Sequence, residues 1–405
     1  MKRILVMVLS SIFVLTACAP NFGEQEEIVQ ETEDDSKEQA IIPKYNKAGY
    51  YQTPLSQKEG EPSYKPGEAR GVVAENLNTR LDIDEFETGL MRIAQDTFSP
   101  DTYLFQEGQY LKGDVINSWL KRQKTAEEAK VAQAELDEKK KDEKYTELGL
   151  NPALPEGEPS TLEQRNQDNP IYLAHIIEHN YLIRKDDDAI QLDGMVIGLA
   201  MNSVHYYKQK DGFEREHKIP RDVLLEKGKE IAEKVLQRMR NTKGVGNVPI
   251  VFAIYEQEEK KSIVPGNFIA KAEVKQGSNS FGKWETIDED YVFFPSPGGT
   301  QDYREDAQRF DQFKGEIESF FPNYTGVIGK AFYKNGEMNY IDIEIPMQFY
   351  SKGEVIAFTQ FVASEVMEYF PDYISLEVNI MSNSGQEALI LREPKQDEPT
   401  VHIYK

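Results

Sequence analysis

One cysteine, Cys18, is all that 405 residues contain. No disulfide can therefore close within the chain, and its stability has to come from packing. Long apolar runs are missing too: no stretch of 18 or more apolar residues occurs, so no segment reads as a membrane-spanning helix. Positive charge is short. Lysine and arginine number 47 against 70 aspartates and glutamates, a net charge of −23. That balance argues against a nucleic-acid partner and against adhesion to anionic lipid. Three motifs are absent: no G-x-x-x-x-G-K-[ST], no G-x-G-x-x-G after a strand and no G-x-S-x-G. Hydrophobic content of 39% and aromatic content of 11% are nevertheless enough for real cores, and the length suggests two or three domains.

What is present begins at the N-terminus. Lys2 and Arg3 precede an apolar run, residues 4–15, broken only by Ser10 and Ser11, and Thr16 and Ala17 are small. Charged start, short apolar run and small-residue exit make a secretory signal. Twelve residues form about 18 Å of helix against a hydrocarbon core of about 30 Å, so the run is an export signal rather than a span. Leu15-Thr16-Ala17-Cys18 resembles a bacterial lipobox. The resemblance implies cleavage between Ala17 and Cys18, with diacylglycerol on the thiol. One acyl chain gives marginal membrane binding and two chains hold stably, so the two chains of the diacylglycerol, of the palmitate type, are enough for an anchor. The alternative is ordinary secretory cleavage beside an incidental cysteine. Removing residues 1–17 takes away Lys2 and Arg3 and no acid, which moves the net charge to −25.

Residues 18–70 are acidic and rich in proline and glycine, and they read as a disordered tether. Tyr50, Tyr51 and Tyr64 give its last part something to dock with. Residues 71–165 read as a helical N-terminal segment. Phe86, Leu90, Ile93 and Ala94 form one stripe over residues 84–94, with Asp82 or Asp84 as cap. Residues 114–122 begin another helix through Val115, Ile116, Trp119 and Leu120. Residues 124–144 are a charged helix with few large apolar side chains, and residues 151–169, with Pro152, Pro155 and Pro159, read as a linker.

From Pro170 the chain turns aromatic and β-branched, and an internal duplication shows. The first copy runs strand (194–201), helix (221–240), strand (248–255), strand (268–274). The second runs strands (325–333, 338–349), a helix opened by the Ser-x-x-Glu box Ser351-Lys352-Gly353-Glu354, then the hairpin 374–380 and 388–392. The expected fold class is α+β: two tandem similar units, residues 166–275 and 276–405, each an antiparallel sheet with a packed helix. One large sheet is the alternative. Residues 295–300 read as a turn.

The candidate chemical motif is His175-Ile176-Ile177-Glu178-His179, an H-x-x-E-H. On a helix, His175 and His179 would share a face and could hold zinc, with Glu178 as the base for a metal-bound water, a pattern similar to inverted zinc metallopeptidases. The competing reading is a structural helix over residues 171–181 with the histidines on its polar rim. His205, His217 and His402 stand alone and need no role.

Residues 89–111, GLMRIAQDTFSPDTYLFQEGQYL, are similar to the CamS sex-pheromone lipoproteins of Gram-positive bacteria, and the lipobox and repeated C-terminal half fit the same family. The resemblance covers nearly the whole chain. It implies that the removed signal peptide is trimmed in some members to a short hydrophobic pheromone, which here corresponds to residues 11–17. It implies no catalytic residue. The expected protein is thus lipid-anchored through Cys18 on the extracellular face of the cell membrane. Its folded part binds or scaffolds a protein or peptide, needs no cofactor and does not catalyse; the alternative is a surface zinc peptidase.

Overall fold

The computed structural model describes residues 37–40, 42, 49–58, 61–139, 144–156, 161–185, 189–320 and 326–405, and in it aromatic side chains tie down the end of the acidic arm. The leader, the lipobox, Ala17 and Cys18 lie outside the described residues. Strand β1 (Lys37–Gln39) pairs antiparallel with residues 189–191. Tyr51 donates to the Phe98 carbonyl at 2.5 Å and sets its ring edge-on to Tyr181, 5.1 Å between centroids. Strands β2 (Ser56–Lys58) and β3 (Glu61–Ser63) form a hairpin, after which the Tyr64 hydroxyl donates to Glu107. Residues 49–58 and 61–70 are therefore not part of a solvated tether. Tyr51 is half-buried by its docking, while Tyr64 stays exposed and is held by its hydrogen bond.

Helix α1 (Val73–Asn76) is one turn and leads into α2 (Arg80–Ala94). The cap of α2 is Thr79, whose Oγ1 accepts from Asp82 N at 3.0 Å, and neither expected aspartate caps it. Asp82 is instead a buried anchor whose Oδ1 accepts from Tyr255 Oη, Glu258 N and Gly266 N at 2.9, 3.1 and 2.9 Å. Then come β4 (Leu104–Glu107), α3 (Gly113–Trp119), α4 (Ala126–Lys139) and α5 (Leu162–Asp168). Helix α5 lies inside the expected linker. Thr161 and Gln164 close a reciprocal capping box, and the buried Asn166 side chain meets His205 Nε2 at 3.1 Å, so polar rather than apolar contacts hold this segment.

The first sheet follows: β5 (Leu173–Arg184), β6 (Ala189–Asn202), β7 (Val204–Lys208), β8 (Glu214–Lys218), α6 (Arg221–Arg240), β9 (Ile250–Gln257), β10 (Asn267–Val274) and β11 (Glu285–Thr286). Its order is β11-β10-β9-β6-β5-β4, with β1 on β6 off this path, while β7 and β8 pair apart. The second sheet is built from β12 (Glu289–Phe294), α7 (Pro297–Asp302), α8 (Arg304–Phe320), β13 (Ile328–Lys334), β14 (Glu337–Pro346), α9 (Lys352–Tyr369), β15 (Ser375–Ser382), β16 (Gly385–Arg392) and β17 (Thr400–Ile403), its strands in chain order. Residues 295–300, read as a turn, run into α7 under a Ser296 cap.

The class α+β holds, but the sheets are mixed rather than antiparallel. β6 runs parallel to β9 across α6, and β14 runs parallel to β15 across α9. A helix between two neighbouring strands carries the chain back to the end where it started, which makes the pair parallel. The two sheets share the order hairpin, helix, parallel strand, hairpin.

The first sheet is covered on both faces. Against α2 pack Val196, Ala200, Val251, Tyr255 and Phe268; against α6 pack Ile197, Leu199, Ile250, Phe252 and Ile254. Strand β6 thus has no solvated side and reads as a nearly unbroken apolar run. Gly198 lets α2 sit close, since a Cβ there would lie 2.7 Å from the Phe86 ring. The second sheet buries alternate residues, such as Ile341, Ile343 and Ile345, under α8 and α9. Its other face carries Lys330, Asp342, Glu344, Glu377 and Asn379, the alternation of a half-solvated sheet.

One ion cluster joins the halves. Arg92 of α2 pairs with Glu85 at 2.6 Å and with Glu289 of β12 at 2.9 Å, and its guanidinium lies 4.5 Å over the Phe332 ring of β13. Tyr291 Oη donates to Glu85 at 2.5 Å. Glu85 and Glu289 are both buried. Deleting one partner of a buried ion pair strands the other charge. Arg92→Ala is therefore expected to lower the unfolding free energy by about 3–5 kcal/mol in urea titrations of the mature chain. An unchanged midpoint would show that the halves are held by something else.

Candidate functional site

Three signals converge on one edge of the first sheet. β5 carries the H-x-x-E-H, β4 covers only its far half, and a cavity opens where β4 stops. Glu107 of β4 pairs with His179, and the chain then leaves the ladder at Gly108. A Cβ at Gly108 would sit 2.7 Å from Glu178 Cβ, so the crossing needs a glycine. The next three backbone N–H groups turn onto the Glu178 carboxylate. Gln109 N donates to Oε1 at 2.9 Å, Tyr110 N to both oxygens at 3.1 and 3.2 Å, and Leu111 N to Oε2 at 2.6 Å. Burial pushes the Glu178 carboxyl up, and these three donors pull it back toward the ionised form.

The motif lies on a strand, not a helix, and both helical readings of residues 171–181 are corrected. The physical reason is the run itself: β-branched Ile176 and Ile177 sit among residues buried on both faces, and β6 supplies a partner along the whole length. Four strand residues separate His175 and His179 by about 13 Å, where one turn of helix would have left about 6 Å. Alternation also sends Glu178 to the face opposite both histidines. His175 Nδ1 is 3.3 Å from Asn76 Nδ2, and the His179 ring stands edge-on to Phe105 at 4.9 Å. The three side chains therefore do not meet, and Glu178 is occupied by backbone donors. Among the described residues no group of three or more His, Cys, Asp or Glu could hold a metal ion. His205 is buried against Asn166 and Arg122.

Sequence reasoning missed the Glu178 cradle and the Arg92 cluster, because both depend on partners far away in the chain. Only the Gly108 position inside an aromatic-rich segment hinted at a close approach.

Two mixed sheets, the first sandwiched between helices and tied to the second through the cluster of Arg92, Glu85, Glu289 and Tyr291, define a two-sheet α+β protein. The chain belongs to the CamS sex pheromone cAM373 precursor family, whose profile matches residues 64–398. It is similar to the crystal structure of a sex pheromone precursor from Lactobacillus salivarius subsp. salivarius, with 30% identity, a TM-score of 0.77, and coverage of 90% of this chain and 99% of that one. It is also similar to the C-terminal domain of the sex pheromone staph-cAM373 precursor from Staphylococcus aureus, with 31% identity, a TM-score of 0.69, and coverage of 82% and 98%. No curated protein matches.

The buried histidines make stability depend on pH. Burial lowers His175 to about 4 and His179 to about 3, against an ordinary 6.5. Below pH 6.5 the unfolded chain takes up protons that the folded chain refuses. The stabilisation is complete above that pH and is lost as pH falls toward 4, at about 1.4 kcal/mol per pH unit for each histidine. Urea midpoints measured from pH 7 to 4.5 should fall less steeply for His179→Gln than for the parent. Equal slopes would contradict the burial of a neutral ring.

Proposed function

We propose that this chain is a surface lipoprotein, cleaved before Cys18 and held on the extracellular face of the cell membrane by lipid on that thiol. Its folded part is a non-catalytic binding or scaffold module. The observation that carries the reading is the lone cysteine of 405 residues, placed directly after Leu15-Thr16-Ala17 at the end of an export signal. Two acyl chains at one N-terminus hold a protein stably without a spanning helix. No helix among the described residues is long and apolar enough to cross a membrane. The shared strand order of the two sheets supports reading the units as a duplication. The separation of His175, Glu178 and His179 weighs against a peptidase.

The family description adds a second product. In this reading the excised leader is trimmed to residues 11–17, and that hydrophobic heptapeptide is the pheromone.

Labelled palmitate fed to a Gram-positive host expressing the full chain should enter the protein, and Cys18→Ala should lose the label and release protein into the medium. Label persisting in the variant refutes the anchor. Mass spectrometry of the medium should find the peptide of residues 11–17. Its absence while Cys18 carries lipid would remove the pheromone and leave the anchor standing.

A further inference from the structure

The cavity beside β5 has about 310 Å3 of room. That is at the lower end of small-molecule pockets, about 300–1,000 Å3, and suits a large side chain or a short apolar chain. Its floor is the strand face of His175, Ile177 and His179; Met91 of α2 and Phe105 of β4 are among its apolar walls; residues 67–73 strap across it.

Two features set it apart from a packing gap. His179 is 3% exposed, and its Nδ1 has no hydrogen-bond partner, whereas buried polar atoms nearly always have one. His179 is one of the residues that line the cavity, so its wall is not wholly apolar. The second feature is Glu87, on the rim. Among the described residues its carboxylate makes no hydrogen bond or ion pair. It is held above the usual carboxylate range, first by loss of water and then by Glu107 and Asp84 beside it, and Arg80, already paired with Asp84, offsets only part of that. Glu107 cannot answer to a ligand in the same way, since Tyr64 Oη and Gly67 N already occupy its oxygens. A cation arriving at Glu87 would relieve that crowding of like charge. Arg70 adds a guanidinium to the same lining.

We infer that this cavity binds an apolar ligand bearing a primary ammonium. The apolar group lies against Met91, Phe105 and Ile177, the ammonium pairs with Glu87, and a carbonyl next to the ammonium accepts from Arg70. The free N-terminus of an apolar peptide has all three parts, and a simple alkylamine has the first two. The strongly acidic surface favours the approach of such a cation. The site rests on the reading of the folded part as a binding module, and not on the lipid.

The test uses the mature chain, residues 18–405, with Cys18→Ser to keep it free of lipid, in calorimetric titrations. The probes are leucyl-leucine amide, its N-acetyl derivative and hexylamine. Leucyl-leucine amide should bind, and acetylation should weaken it at least tenfold. Glu87→Gln, a change on the exposed rim of a helix, should weaken it to a similar degree, and Met91→Trp should abolish binding by filling the space. Hexylamine matching the dipeptide amide would assign the site to small amines; weaker binding that Arg70→Ala equalises would assign it to peptide ends. Equal affinity for the free and acetylated probes, no binding by any probe, or indifference to both Glu87→Gln and Met91→Trp would overturn the site. Binding that ignores both variants would still leave a binding module, with its site elsewhere.

Discussion

Arg92 is where two sheets become one body. Without it, α2 would be a helix lying on the first sheet and β12 the outer strand of the second, with two buried carboxylates between them. A guanidinium can satisfy both because its donors fan out in a plane, one set toward Glu85 and another toward Glu289, while its face rests on Phe332. A lysine offers one point of charge and no flat face. The residues described from 37 to 405 form a single compact unit, and the two sheets meet at this contact.

The rest of the N-terminal third is organised around the first sheet. Residues 49–58 and 61–70 lie along β4, with Phe105 N donating to Gln52 O at 2.9 Å and Glu68 N to Gly108 O at 2.9 Å. α2 covers one face, and β4 extends the edge. The segment from 71 to 165 thus completes a sheet whose central strands come a hundred residues later. The same arrangement leaves the near half of β5 without a β4 partner, and there the Glu178 cradle and the cavity both lie. A carboxylate held by three backbone donors fixes the loop that forms one end of that cavity.

The H-x-x-E-H shows how a motif misleads when its spacing is read on the wrong element. Histidines four apart share a face in a helix and in a strand alike, so periodicity alone does not separate the two. What differs is distance and the direction of the residue between them. Here the strand sends Glu178 to the other side, and the imidazoles end with Asn76 and Phe105 as neighbours.

Several elements were legible in the residues alone. The twenty-residue α6 emerges end to end from its apolar stripe, β6 and β9 from their β-branched runs, and α9 from its Ser351 cap. In α9 the Glu354 side chain reaches Tyr350 N at 2.7 Å, one residue before the expected box partner. The family was legible in residues 89–111, because a run of that length carries its own identity. These are local properties, decided by neighbours within a few turns. The parallel pairing of the central strands, the docking of Tyr51 and Tyr64, the strand under H-x-x-E-H and the Arg92 bridge were not legible. The strand under H-x-x-E-H is settled by its hairpin partner β6, and the others by partners farther along the chain, up to 197 residues for Arg92 and Glu289; no local pattern records which distant group a side chain will meet.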